Sequence, residues 1–299
     1  MISRRLFNTG LISALGMTVS DCWSLDKVGS GAITGIDCHA HIFSKDLPMV
    51  KGHRYSLQYD APLAQYIQVL DAHNISNGVL IQPSFLGTDN DYLIAALQKY
   101  PKRLRGVVVI DPVSAVPQLE QFAKIGVAGI RLNLINQPDP DFTDKTWRNL
   151  LPHLKALDLH IELHAEARRM SKLLPPLIDQ QIKISIDHFG RPDPATGIDD
   201  PGFQYLMKAG SSRLVWIKIS GTYRNSSLNA GDAIGLQAFA AVKKSFGLDR
   251  MVWGSDWPHV GYEKIANYDQ AYAFMQKMLP NAADRRVVMI DTPSRLYKF

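Results

Sequence analysis

The stretch GIDCHAH, residues 35–41, places two histidines one residue apart directly after a short apolar run. In an extended strand, residues i and i+2 lie on the same face, so His39 and His41 would present two imidazoles side by side at the strand's carboxyl end. A surface turn that contains two histidines by chance would give the same letters. The pattern of the remaining chain has to distinguish these two interpretations.

Runs rich in Val, Ile and Leu recur along the chain, as expected for parallel strands buried on both faces. The predicted strands span residues 33–37, 78–82, 104–110, 127–133, 159–163, 182–186, 214–219 and 250–254. The segments between them carry apolar residues three and four positions apart, as in Leu63, Ile67 and Leu70. Strands and helices that alternate without a long linker predict an α/β protein with a single (β/α)8 TIM barrel over residues 31–299. An open doubly wound sheet is the alternative, but no Gly-x-Gly-x-x-Gly phosphate loop follows any run.

Composition and charge exclude several classes of protein. The net charge of +5 is modest, and no basic run or basic stripe with interleaved aromatics occurs, so no nucleic-acid partner is expected. No apolar run reaches the roughly 20 residues of a bilayer-spanning helix, so the chain is not expected to span a membrane. The two cysteines, Cys22 and Cys38, give no disulfide framework. The hydrophobic content of 46% is ordinary for a globular enzyme.

Residues 1–30 differ in character from the remainder of the chain. Arg4 and Arg5 precede a mostly apolar, uncharged stretch at residues 11–19, and no acidic residue occurs before Asp21. This pattern predicts a twin-arginine signal peptide and leader over residues 1–30, with export to the periplasm. The alternative is an N-terminal extension with two arginines by chance, on a cytoplasmic protein.

Residues at the carboxyl ends of the predicted strands indicate one site, because these ends share a single mouth in a (β/α)8 barrel. Five side chains of metal-ligating type lie there, namely His39, His41, His164, His188 and Asp256. Neutral imidazoles and a carboxylate suit a divalent cation such as zinc, which lowers the pKa of a bound water to about 7. Any one of these histidines alone would more often be a packed core residue. Together they predict a functional site.

Several motifs in order along the chain resemble the amidohydrolase-related superfamily. They are HAH at 39–41, DHFGRP at 187–192, KISG at 218–221 and GSDWPH at 254–259. Within that superfamily, YDAP at 59–62, QPSFLGTDN at 82–90 and LRGV at 104–107 resemble the group of 2-pyrone-4,6-dicarboxylate lactonase and sugar-acid lactonases. The resemblance extends from about residue 35 to the C-terminus. It implies a hydrolase that opens a small carboxylated lactone, a cyclic ester, by attack of water on the carbonyl.

The resemblance also implies roles for the reacting residues. Asp256 would be the general base, because a carboxylate held beside histidines can take a proton from water. His39, His41 and His188 would surround the carbonyl oxygen and stabilise the tetrahedral oxyanion, either as direct donors or through a metal ion.

A second set of residues would recognise the anionic lactone. Arg131, Arg191 and Arg224 are suited to clamp its carboxylates, since a guanidinium offers a planar fork of donors. An arginine at a strand end often pairs with a neighbouring aspartate or glutamate instead. Tyr59 and Ser84 match positions that line the pocket in the resembled group.

Whether a metal is required stays open at this point. Many superfamily members bind zinc, whereas the pyrone lactonase is understood to work without a metal and has no histidine at the fifth-strand position. In this chain His164 stands there and completes the candidate ligand set of His39, His41, His164, His188 and Asp256. Glu162, on the same side of the strand as His164, is a candidate supporting partner.

Two further functions remain possible alternatives for this chain. One is a zinc-dependent amidohydrolase or nonoxidative decarboxylase of the same superfamily. The other is a non-catalytic periplasmic binding protein for acidic sugars that has kept the pocket.

Overall fold

Eight parallel strands follow one another around the sheet in chain order, each paired with the next. The computed structural model describes residues 31–55, 57–225 and 231–299, so the signal peptide predicted at residues 1–30 lies outside the described residues. The strands are β1 (Ile36–Ala40), β2 (Asn77–Ile81), β3 (Leu104–Val108), β4 (Val127–Asn133), β5 (His160–His164), β6 (Ile184–Ile186), β7 (Val215–Ile219) and β8 (Met251–Trp253). With helices between them, they confirm the predicted single (β/α)8 TIM barrel.

The helices lie where the sequence predicts them, with two additions at the C-terminus. They are α1 (Leu63–Ala72), α2 (Asp91–Lys99), α3 (Leu119–Lys124), α4 (Lys145–Ala156), α5 (Met170–Asp179), α6 (Pro201–Lys208), α7 (Gly231–Phe246), α8 (Tyr268–Met278), α9 (Ala282–Arg286) and α10 (Thr292–Tyr297). The apolar spacing did not predict α9 and α10, which are joined by a π-helical segment, Val287–Asp291, whose wider turn departs from the 3.6-residue period. Within the described ranges, no helix is both long and apolar enough to cross a bilayer.

The first strand begins three residues later than its apolar run predicts. Its ladder with β2 starts at Ile36, opposite Asn77, while Thr34 is tied by hydrogen bonds to Ser76 and Asn74. A prediction from runs of Val, Ile and Leu misplaced the strand, because β1 buries polar side chains such as Asp37 and His39, which are fully enclosed. The strand therefore includes His39, and His41 follows directly.

A glycine allows the last strand to close the barrel against the first. His41 N donates to Trp257 O, and Asp256 N donates to His39 O, both at 2.8 Å. A Cβ on Gly254 would lie 2.5 Å from the Cβ of His39, closer than two carbon atoms can approach without displacement. Gly254 thus permits the contact that brings the end of β8 beside the histidine pair.

The amino-terminal end of the barrel is closed by α10. Leu296 and Tyr297 of this helix belong to a buried apolar cluster with Cys38 of β1 and Trp216 of β7. The ring of Tyr297 packs edge-on against His160, the first residue of β5, at a centroid separation of 5.3 Å. The polar residues at the other end of the strands are therefore left facing the mouth.

Candidate active site

Side chains from four parts of the barrel meet at its carboxyl end. Oδ1 of Asp256 lies 3.6 Å from Nε2 of His39 and 3.7 Å from Nε2 of His41. The ring of His188 lies 4.8 Å from that of His39 and 5.0 Å from that of His164. All five side chains are buried. The structure therefore brings together the five residues that the strand ends predict as a site.

The backbone around two of these residues is unusual. His188 has a φ of 51° and Asp256 a φ of 64°, in the left-handed region that residues with a side chain seldom adopt. Between them lies Gly221 of the KISG motif, on which a Cβ would be 2.9 Å from Nδ1 of His188 and 3.0 Å from Oδ2 of Asp256. Backbone of this kind costs free energy and persists only where the surrounding structure holds it in place. It is frequent at functional sites.

The two carboxylate oxygens of Asp256 have different environments. Oδ2 accepts hydrogen bonds from the hydroxyl of Tyr223, at 2.6 Å, and from Nε of Arg224. Oδ1 is buried and has no hydrogen-bond partner among the described residues. Burial alone would raise the pKa of Asp256, but the Arg224 guanidinium and the neighbouring histidines hold it well below its usual range. Asp256 is thus an ionised carboxylate with one oxygen free to accept a proton.

Hydrogen bonds fix which nitrogen of His41 carries the proton. Nδ1 of His41 lies 2.7 Å from the carbonyl oxygen of Ile81, which can only accept, so Nδ1 is the donor. Burial lowers the pKa of His41 to about 4, so its ring is neutral at pH 7. Its Nε2, beside Asp256, therefore presents a lone pair.

The opposite arrangement holds for His39. Nδ1 of His39 lies 3.1 Å from Nζ of Lys218, an ammonium that can only donate. Oδ1 of Asp187 lies farther from the same nitrogen, at 3.4 Å, so the closer ammonium determines the tautomer. Burial lowers the pKa of His39 well below its usual range, and the neutral ring then carries its proton on Nε2. The pair HAH thus offers one N–H donor and one lone pair at the same mouth.

Lys218 belongs to a buried network of charges behind the histidines. Its ammonium pairs with Glu162 and lies 3.4 Å from Oδ1 of Asp187. Arg131 donates to Oδ2 of Asp187 at 3.1 Å and to the carbonyl of Gln82. Burial, and then the charge of Asp187, raises the pKa of Glu162 to about 7. Glu162 and Lys218 therefore support His39 from within the barrel.

The residues predicted to bind substrate have different surroundings. Arg131, Arg224 and Ser84 line the cavity above the histidines, and both arginines are already paired with carboxylates. Arg191 has no side-chain hydrogen bond or ion pair within the described ranges. Tyr59 donates its hydroxyl to Glu263 at 2.7 Å and does not line the cavity.

Several lining residues were not predicted as site residues from the sequence. Arg54 and Tyr55 reach the cavity from the loop between β1 and α1, while Asn133 does so from the end of β4. Asn133 lies two residues after Arg131, so strand alternation is a signal that places it on the same face. Tyr223, bonded to Asp256, follows the KISG motif and has no comparable signal.

The residues present fit a divalent ion. Two groups of potential ligand atoms lie within 4.8 Å of one another, His39 with His41 and Asp256, and His39 with Asp187 and His188. Both nitrogens of His164 and Oδ1 of Asp256 are buried without a partner among the described residues. Unpaired buried donors and acceptors of this kind are costly unless water or an ion satisfies them. His41 Nε2 and Asp256 Oδ1 could ligate directly, whereas His39 would first have to move its proton to Nδ1.

Comparison with known proteins identifies close similarity over the whole barrel. The chain matches the family described as Amidohydrolase over residues 36–299. It is 28% identical over 267 residues to the 4-sulfomuconolactone hydrolase of Hydrogenophaga intermedia, covering 87% of this chain and 88% of the relative. It is 27% identical over 283 residues to the 2-pyrone-4,6-dicarboxylate hydrolase of Comamonas testosteroni, covering 91% of each chain.

A solved structure is also similar to this chain over most of its length. A candidate 2-pyrone-4,6-dicarboxylic acid hydrolase from Acinetobacter baumannii, crystallised with citric acid bound, is 35% identical to this chain. The two superpose with a TM-score of 0.85, over 89% of this chain and 99% of the other.

Proposed function

Because the chain belongs to the amidohydrolase family, we propose that it is a hydrolase that opens a small lactone bearing at least one carboxylate. The observation that carries the proposal is the free Oδ1 of Asp256, buried beside the HAH pair under a cavity lined by arginines. A base, a donor and cationic groups within one mouth are the components that hydrolysis of an anionic ester requires. The names of the similar proteins support the same reaction class.

Asp256 would act as the general base. A water that attacks the ester carbonyl passes one proton to Oδ1, while Tyr223 and Arg224 hold the other oxygen in place. The ring carbon–oxygen bond then breaks, and the departing oxygen takes up that proton to leave the open-chain hydroxy or keto acid. Since the pKa of Asp256 is low, the carboxylate is ionised at every working pH, but it is a weak base.

The imidazole groups would stabilise the negative charge that develops on the carbonyl oxygen. The Nε2–H of His39 is a donor held by Lys218 from behind, so it can serve this purpose without a change of protonation. Burial lowers the pKa of His188 to about 3, so this ring is also neutral and is held through Ser220 at 3.0 Å.

We infer that a divalent ion, with zinc as the first candidate, occupies the same mouth. A weak base such as Asp256 is more effective when the attacking water is made more acidic, which a bound divalent ion does. His41 and Asp256 would hold the ion, and His39 would join them after its proton moves to Nδ1. His188 and His164 would complete the set, since the His188 ring lies 4.8 Å from that of His39 and both nitrogens of His164 have no partner among the described residues.

Proton release in weakly buffered solution tests the proposed function. The panel comprises 2-pyrone-4,6-dicarboxylate, sugar-acid lactones and the methyl esters of the same lactones. Turnover of at least one carboxylated lactone, and slower turnover of its ester, is the expected result. A folded protein incubated with zinc that opens none of them would overturn the proposal and leave a binding role.

Export is a separate proposal that rests on residues 1–30 alone. Arg4 and Arg5, followed by an apolar uncharged stretch, support a twin-arginine signal and a periplasmic location. Fractionation of cells that express the full chain and its Arg4→Lys, Arg5→Lys double variant tests it. Wild-type protein in the periplasm and the variant in the cytoplasm is the expected result, and equal distribution would contradict it.

A further inference from the structure

Arg54 differs from the other arginines that line the cavity because no carboxylate neutralises it. Arg131 lies 3.1 Å from Asp187 and 3.5 Å from Glu162, and Arg224 pairs with Asp256. No described carboxylate lies within 4.0 Å of the Arg54 guanidinium. Its Nη2 instead donates to the neutral amide oxygen of Asn133, at a long 3.3 Å. Among the three arginines that line this cavity, Arg54 is therefore the one without a carboxylate partner in the described residues.

Arg54 is exposed to solvent and lines the cavity, so an anion can reach its guanidinium. The pKa of Arg54 is lowered by its partial burial and by the guanidinium groups of Arg131 and Arg224, and the charges of Tyr55 and Glu166 offset this shift only in part. Asn133 gives its oxygen to Arg54, so its amide nitrogen remains a donor that has no acceptor among the described residues. A carboxylate would relieve the repulsion and accept from both groups.

The loop that carries Arg54 is held in place by backbone hydrogen bonds and by aromatic packing. Phe43 and Ala61 pair at its base through two hydrogen bonds of 2.9 Å, and Val50 N donates to Phe85 O across the mouth. Tyr55, next to Arg54, packs against Phe85 at a centroid separation of 6.3 Å. A Cβ on Gly261 would lie 3.1 Å from the Tyr55 ring, so the loop after β8 also contacts it closely. These contacts keep Arg54 above the mouth.

We propose that Arg54 and Asn133 form a subsite for a second acidic group of the substrate, distinct from the group that undergoes hydrolysis. The assignment deepens the proposed lactone hydrolysis and rests on it. It makes the preferred substrate a lactone with two anionic groups, one of which is recognised from the loop between β1 and α1. Arg54 would thus determine specificity and would leave the chemical step to Asp256 and the histidines.

Steady-state kinetics with three related lactones tests this subsite. The probes are 2-pyrone-4,6-dicarboxylate, 2-pyrone-4-carboxylate and 2-pyrone-6-carboxylate, which share one ring and differ only in their carboxylates. Arg54→Met should raise KM for the dicarboxylate about 10- to 100-fold, the range for a lost charge-assisted hydrogen bond, while kcat changes little. For one of the two mono-acids KM should stay unchanged, because that probe lacks the group that Arg54 contacts.

Two matched variants serve as controls. Arg54→Lys keeps the charge but not the planar fork, so its KM should lie between those of wild type and Arg54→Met. Arg168→Met removes an arginine of which 74% of the side chain is exposed, and it should behave as wild type. An unchanged KM in Arg54→Met, or an equal rise for all three lactones, would overturn the subsite.

Calorimetry with citrate separates this subsite from the proposed function. If wild type opens none of the pyrones but binds citrate more tightly than Arg54→Met does, the hydrolase proposal fails and the subsite stands. If the pyrones are opened and citrate binding and KM are both independent of Arg54, the hydrolase proposal stands and the subsite fails. If neither turnover nor citrate binding is found, both fail.

Discussion

Nζ of Lys218 lies 3.1 Å from Nδ1 of His39, and this contact leaves the proton of the neutral imidazole on Nε2, toward Asp256. The same ammonium is enclosed by Glu162 and Asp187, and all of these side chains are fully buried. Lys218 therefore both neutralises the buried carboxylates of Glu162 and Asp187 and determines which nitrogen of His39 is the N–H donor at the mouth.

Loss of this ammonium should be strongly destabilising. Lys218→Met leaves two buried carboxylates with too few cations, so the free energy of unfolding should fall by about 3–5 kcal/mol. The matched control is Lys183→Met, which breaks a half-exposed pair with Asp158 and should cost less than about 1 kcal/mol. Urea denaturation of the three proteins measures both changes. Equal stability of the two variants would show that the buried network is not needed for the fold.

The contact between the last and first strands gives a second prediction. Gly254→Ala forces a methyl group against the Cβ of His39, so overpacking should lower the free energy of unfolding by about 1–3 kcal/mol. Gly31→Ala, where no atom of the described residues lies within 4 Å of the added carbon, is the control and should be neutral. Thermal unfolding compares them. A Gly254→Ala protein as stable as the control would mean that the barrel closes differently.

Asp37 should make stability depend on pH in a predictable direction. Burial raises the pKa of Asp37 from 3.8 to about 6, so the folded chain holds this proton over a range in which the unfolded chain has released it. The slope of unfolding free energy with pH is then negative between about 4 and 6, and the loss amounts to about 3 kcal/mol in total. The stabilisation that the folded chain retains with Asp37 protonated is fully present below pH 4 and is lost as the pH rises through 6.

The Asp37→Asn variant isolates that effect, because an amide does not titrate. Wild type should lose stability relative to the variant as the pH is raised from 4 to 7 in urea denaturation. A difference between the two proteins that stays constant over this range would place the pKa of Asp37 near its ordinary value.

Metal content provides a fourth prediction. Protein purified without chelator should contain about one equivalent of a divalent ion, and a chelator should lower both turnover and the melting temperature. His164→Gln should lower the metal content, whereas His153→Gln, on the exposed face of α4, should not. Full activity in protein shown to be free of metal would leave the Nε2–H of His39 as the main donor to the oxyanion.

Much of the fold could be predicted from the sequence, because strands buried on both faces read as apolar runs. The exception is instructive. In β1 the polar side chains of Asp37 and His39 are fully buried, so the run of apolar letters ends before the strand does. Polar interior residues are invisible to a criterion based on hydrophobicity, although they are the residues that matter for the site.

The candidate site was predictable to the extent that its residues follow strands. His39, His164, His188 and Asp256 lie at strand ends, and the barrel brings these ends together. Arg54 could not be predicted in the same way, since its position depends on contacts of the loop between β1 and α1 rather than on periodicity. The sequence did indicate that a strand-end arginine could pair with a carboxylate, with Asp187 among the candidates, but it could not select which arginine and which carboxylate meet.

The most direct test of the account is the rate of lactone opening by Asp256→Asn compared with wild type. The substitution keeps the shape of the side chain and an acceptor for Tyr223, but it removes the base, so kcat should fall by about 10²- to 10⁴-fold. Asp284→Asn, which breaks a surface pair with Lys243, is the control and should keep full activity. A folded Asp256→Asn protein that opens the lactone as fast as wild type would contradict the assignment of Asp256 as the base, and with it the central claim.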